Sequence, residues 1–205
     1  MKRRDFLITT STGMVLAATG ARAEMAMAPG EMPVTPMQWT DENGLTRFLK
    51  VDTNPLENEF EKFPRCPYCG MMRQMYSFSR HLVVYANDTV DGTCSLHCAA
   101  ISLSLNMDQG PVKIYAGDAG AEGEVKPLAD ALEMSYVIDP DKPGTMTAVS
   151  KFAYADAEKA KAAAGANAKI VGFDEALTLA YADMAKDTIN IRKRRAEKRA
   201  AMAKP

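Results

Sequence analysis

The chain has 205 residues, 47% of them apolar and 25% charged, the balance of a globular protein rather than a disordered one. Its formal charge of -1 conceals an asymmetry: Lys2, Arg3, Arg4 and Arg22 against Asp5 make residues 1–23 +3, seven basic residues against Glu197 make 192–205 +6, and residues 24–191 therefore carry about -10. An acidic body argues against a nucleic-acid-binding fold, and no apolar run approaches the roughly 18 to 20 residues of a membrane span.

Lys2-Arg3-Arg4-Asp5-Phe6-Leu7, a modestly apolar stretch to Ala18 and the triplet Ala21-Arg22-Ala23 follow one another in the order of a twin-arginine export signal. Residues 1–23 are therefore expected to direct the chain to the periplasm, with Glu24 as the mature N-terminus and no cysteine nearby to take a lipid anchor. Residues 24–62 read as a linker with Met25, Met27, Met32 and Met37, then an irregular segment with turn signals at 41–44 and 53–55. Thioethers are soft ligands, so the linker is either a weak copper-collecting arm or a plain flexible leader. Trp39 reads as a packing residue.

The motif Cys66-Pro67-Tyr68-Cys69-Gly70-Met71 falls in a loop. Residues 80–86 form a strand, with turns expected at Asn87-Asp88 and Asp91-Gly92. Cys94 to Leu105 reads as a helix stopped by Asn106 and Gly110-Pro111, followed by strands over 112–116 and 135–138. The second half repeats the scheme: a strand over Met146 to Phe152, a helix over 155–164 with Gly165 as C-cap, a strand over 168–171, then a long helix after Phe173-Asp174. The expectation is an α+β fold of two small ββαβ-like lobes in tandem with a long C-terminal helix, whose basic run at 192–199 is a solvated end.

Four chemistries fit Cys66-x2-Cys69 and Cys94-x3-Cys98. Cys66-Pro-Tyr-Cys69 is the glutaredoxin tetrapeptide, but such a motif should follow a buried strand and open a helix, and Gly70 is a poor helix start. Cys94, His97 and Cys98 can share one helical face and, with the first pair, make a structural zinc site. One or two plain disulfides would suit an oxidising compartment. Soft-metal binding is the fourth: Cys69-Gly70-Met71 sets a thiol and a thioether two residues apart on a glycine-loosened loop, and Cu(I) prefers both donors. His97 is a better metal candidate than His81, which sits on a strand. Catalytic carboxylate pairs, Ser-His-Asp spacings and phosphate-cradling glycine loops are not found, so no enzyme is expected.

The cysteine motif, Cys94-Ser-Leu-His97-Cys98-Ala-Ala and the later block Val171-Gly-Phe-Asp-Glu-Ala-Leu177 resemble the NosL family, accessory proteins of nitrous oxide reductase assembly. The resemblance covers about residues 63–179; it implies a NosL-like domain over 63–180 and leaves a basic helical tail over 181–205. It further implies a periplasmic Cu(I) chaperone, denitrification as its setting, and an ABC-type membrane complex or nitrous oxide reductase as partner. Cys66 or Cys69, Met71 and Met146 would be ligands, with His81 or His97 adding a nitrogen. The resemblance leaves two alternatives standing: a thiol-disulfide redox protein using Cys66/Cys69, and a zinc- or disulfide-stapled interaction module. The seven cations of 192–205 also suit peripheral contact with an anionic membrane.

Overall fold

The computed structural model describes residues 49–107 and 109–202. The expected export signal, the linker methionines and Trp39 lie outside them. Five antiparallel strands make the first sheet: β1 (Lys50–Val51), β2 (His81–Tyr85), β3 (Thr89–Thr93), β4 (Pro111–Gly117) and β5 (Leu128–Asp130), in the order β1-β3-β2-β4-β5. Strand alternation divides β2 between two cores. Val83 and Tyr85 face the main core, while Leu82 and Val84 face Phe63 and Val90 on the other side. A short helix α1 (Glu59–Lys62) precedes the cysteine loop, and α2 (Leu96–Leu105) links β3 to β4.

A second sheet follows: β6 (Ser135–Asp139), β7 (Ser150–Tyr154) and β8 (Lys169–Val171), in the order β7-β6-β8 and antiparallel throughout. Helix α3 (Ala157–Ala163) lies between β7 and β8, with the Asp156 side chain accepting from the N–H groups of Glu158 and Lys159. Both lobes thus run strand, strand, helix, strand, and in both the first strand is the middle one. The two ββαβ units expected from the sequence are present, the first enlarged by edge strands β1 and β5. They are not separate in packing. Tyr136, Ile138 and Ala153 of the second sheet share one core with Val83, Tyr85 and Ile114 of the first. A parallel bridge between Asp118 and Ala153 stitches the sheets at the backbone.

Helix α4 (Phe173–Met202) docks through Phe173, Ala176 and Ala180, spaced three and four apart as one helical face requires. The Tyr181 hydroxyl donates to the Ala100 carbonyl of α2 at 2.8 Å and accepts from Ser104 at 2.9 Å. Among the described residues, no helix is long and apolar enough to cross a membrane.

Four local expectations are corrected. Asp91 and Gly92 belong to β3 rather than to a turn: a Cβ on Gly92 would lie 2.7 Å from Phe63 Cβ, so close packing requires the glycine. Helix α2 opens at Leu96 with Ser95 as N-cap, leaving Cys94 just outside it. The strand expected from Met146 begins only at Ser150, because Gly144 and Thr147 pair across a tight turn and Met146 takes a positive φ of 67°. Gly165 is no left-handed cap; a Cβ there would lie 2.9 Å from an Asp139 carboxylate oxygen.

Candidate metal centre

The loop between α1 and β2 is folded back on itself. The Cys66 N–H donates to the Met71 carbonyl and the Gly70 N–H to the Cys66 carbonyl, both at 2.9 Å, while Arg65 and Met72 form an antiparallel bridge. Gly70 closes the turn at φ 76°, a conformation costly for any residue with a Cβ. The motif tyrosine anchors the turn, its hydroxyl donating to Asp91 of β3 at 2.5 Å. Burial and the neighbouring Asp91 carboxylate push the Tyr68 hydroxyl well above its ordinary pKa, so it stays a donor.

A buried ion cluster fixes the segment after the turn. Glu59 of α1 accepts from Arg73 Nη2 at 2.8 Å and from Arg80 Nε at 2.8 Å, with Arg80 Nη2 also in contact. Arg73 donates onward to the carbonyls of Phe63 at 2.9 Å and Thr93 at 3.2 Å. One guanidinium therefore ties the arm bearing Cys66 and Cys69 to the residue before Cys94.

Cys94 leaves β3, and Cys98 lies in the first turn of α2, its N–H accepted by the Ser95 side chain at 3.4 Å. The Ser79 hydroxyl donates to the Cys94 carbonyl at 2.8 Å. All four sulfurs converge, lying within 4.8 Å of one another. Cys69 Sγ is 3.3 Å from Cys94 Sγ and 3.9 Å from Cys98 Sγ, and Cys94 and Cys98 are 3.8 Å apart. A tetrahedral ion with metal–sulfur bonds of 2.3 Å separates its sulfurs by about 3.8 Å. The four cysteines are free thiols. Donation from the Cys94 and Cys98 thiols holds Cys66 far below the ordinary thiol pKa, and their own pKa values rise in return. Four convergent thiols make a nest that a soft cation can enter by displacing protons.

The other candidate ligands divide by position. Met71 packs directly on the cysteines, together with Tyr68 and Tyr76. His97 lines a small niche with Ser79, Ser95, Thr145, Thr147 and Lys151, and its Nδ1 is buried without a hydrogen-bond partner. Met146 projects from the exposed turn between Thr145 and Thr147, two residues of that niche. Its turn is tied toward the cysteines through Thr145 Oγ1, which lies 2.8 Å from Ser79 Oγ. His81 is fully engaged: Nδ1 is 3.0 Å from the Ser79 carbonyl and Nε2 3.0 Å from the Tyr136 hydroxyl. Burial lowers its pKa to about 4, so the ring is neutral and has no nitrogen to spare.

Sequence reasoning missed Glu59, Arg73, Arg80 and Asp91 as supports of the site. Their one signal is charge at positions that the strand period and the loop packing turn inward.

The family whose model matches is described as NosL, over residues 57–178. A comparison with curated proteins gives no match. Among solved structures, the crystal structure of the copper chaperone NosL from Shewanella denitrificans is similar at 18% identity and a TM-score of 0.43, with 62% of this chain and 92% of that chain covered. The family match takes in more than half of the chain, including all four cysteines, both sheets apart from edge strand β1, and the first turn of α4, and the chain belongs to the NosL family.

Proposed function

We propose that this protein is a periplasmic Cu(I) chaperone that assists copper-site assembly, with nitrous oxide reductase or its ABC-type membrane complex as recipient. Family membership and the chemistry of the site support the reading together. The observation that carries it is the convergence of two cysteine pairs, from segments some 25 residues apart in sequence, on one four-sulfur cluster with a thioether against it. Thiolate and thioether sulfur select Cu(I) over harder ions. Cys66, Cys69, Cys94 and Cys98 are the proposed ligands, Met71 the adjoining donor, and His97 and Met146 flanking donors at the niche. Residues 63–180 form the copper-handling domain. Residues 1–23 act as a twin-arginine export signal, and the basic end of α4 within the tail 181–205 touches anionic surfaces.

Thiol-disulfide exchange fits the geometry poorly. It needs an exposed nucleophile opening a helix, whereas Cys66 is 1% exposed and a turn follows it. A structural zinc centre is the second reading, favoured by one observation: sulfur spacings of 3.3, 3.8 and 3.9 Å suit a closed tetrahedral ion.

Anaerobic titration of the reduced chain with Cu(I) against a chromophoric chelator tests the proposal. Tight one-to-one binding that Zn(II) does not block is expected. A chain that retains zinc through the titration and takes up no copper overturns the proposal in favour of the structural centre. Sedimentation with anionic vesicles tests the tail: binding should fall steeply between low and physiological salt and vanish when the chain stops at Ile191.

A further inference from the structure

The four sulfurs are alike in chemistry and unlike in access. Cys66, Cys94 and Cys98 are 1%, 0% and 1% exposed, and Cys69 alone is partly open to solvent. Their backbones differ in the same sense. Cys94 follows a paired strand and its carbonyl is held by Ser79, Cys98 is held in a capped helix, and Cys66 is paired through both its N–H and its carbonyl. Cys69 stands at the tip of the turn, next to Gly70, around whose Cβ position there is open space for 4 Å.

We infer that Cys69 is the exchange ligand of the site: cargo enters and leaves over Cys69, and the partner that supplies or accepts it approaches the open tip of the turn at Cys69 and Gly70 with a soft donor of its own. The inference rests on the copper reading above and adds to it a direction of transfer. A thiolate or thioether of the partner adds to Cu(I) from the open side. The bond from copper to Cys69 then breaks, and the Cys69 thiolate takes a proton from water. Copper stays Cu(I), and one copper–sulfur bond forms for the one lost. Cys66, Cys94 and Cys98 cannot be approached in this way, because protein covers them; they let go last. A tetrahedral cage that would otherwise be closed to exchange thereby acquires one hinged side.

The test needs no variant. The full chain is loaded with one equivalent of Cu(I), pulsed with iodoacetamide without oxygen, and mapped by mass spectrometry. Cys69 should be alkylated at least about tenfold faster than each of the other three, since modification follows access and protein covers the others. Equal labelling of Cys66, Cys94 or Cys98 overturns the inference. A second arm measures rates. Cys69→Ser should still bind copper yet surrender it to a chelator about tenfold faster or more, a drop in barrier of about 1.4 kcal/mol. An unchanged rate overturns the inference while leaving the copper reading intact. Failure of the chain to take up copper at all is seen before the pulse, and it removes the copper reading itself.

Discussion

Single residues carry unequal weight in this fold, and the imbalance can be measured. Glu59 neutralises two guanidiniums that are buried with it. Glu59→Gln leaves both cations short of a counter-charge, and chemical denaturation should show a loss of about 3 to 5 kcal/mol. Two glycines separate strain from space. Gly70 has a positive φ with nothing near its Cβ position, so Gly70→Ala should cost about 1 kcal/mol. A Cβ on Gly117 would lie 2.0 Å from the Ser77 carbonyl oxygen, so Gly117→Ala should cost about 3 kcal/mol or more by overpacking. His81 gives the fold a pH dependence. Its folded pKa of about 4 lies below the 6.5 of the free side chain. The unfolded chain therefore binds the extra proton first as pH falls. The stability contributed by the neutral ring is complete above pH 6.5 and is lost on the way down to pH 4, by about 3 kcal/mol. Denaturant unfolding at pH 7 and pH 4.5 measures that loss.

Among the elements, hydrophobic period and turn chemistry made most of the fold legible in the sequence. The 2-fold alternation of β2, the apolar run of α2 and the repeated strand-helix-strand order all stand where the pattern puts them. The failures have one physical source: a signal that is local in the sequence but answered by tertiary packing. Asp91-Gly92 is turn chemistry, yet Tyr68, Phe63 and Arg73 require those two residues in mid-strand. Met146 to Val149 is apolar enough for a strand, yet Pro143-Gly144 starts a tight turn that takes them out of register. Of the site, the two cysteine pairs and the adjoining Met71 could be read from the sequence. That the pairs meet could not, because nothing in either spacing encodes the distance between the 66–71 turn and the start of α2. Helix α4 divides beyond Asp183. Asp183 bonds Lys151 of β7 at 2.5 Å, whereas residues 188–202 are exposed throughout. A chain stopped after Ile191 should unfold within about 0.5 kcal/mol of the full chain, read by denaturant titration, because it removes surface alone.

Taken whole, the described residues of the two lobes behave as one folding unit, since a single apolar core runs through both sheets and the docked face of α4. Denaturation followed by tyrosine fluorescence and by helical circular dichroism should give one coincident transition. The cysteine cluster lies in the first lobe at the ends of two chain segments, and a bound ion joins them as a cross-link would. On the proposed copper reading, loading would tighten the whole molecule and delivery would loosen it, by the mass-action stabilisation that any ligand of the native state confers. On that reading the metal-free chain is the more perishable form. Proteases would then remove metal-free chains ahead of loaded ones, and the lifetime of the protein would become a gauge of bound metal.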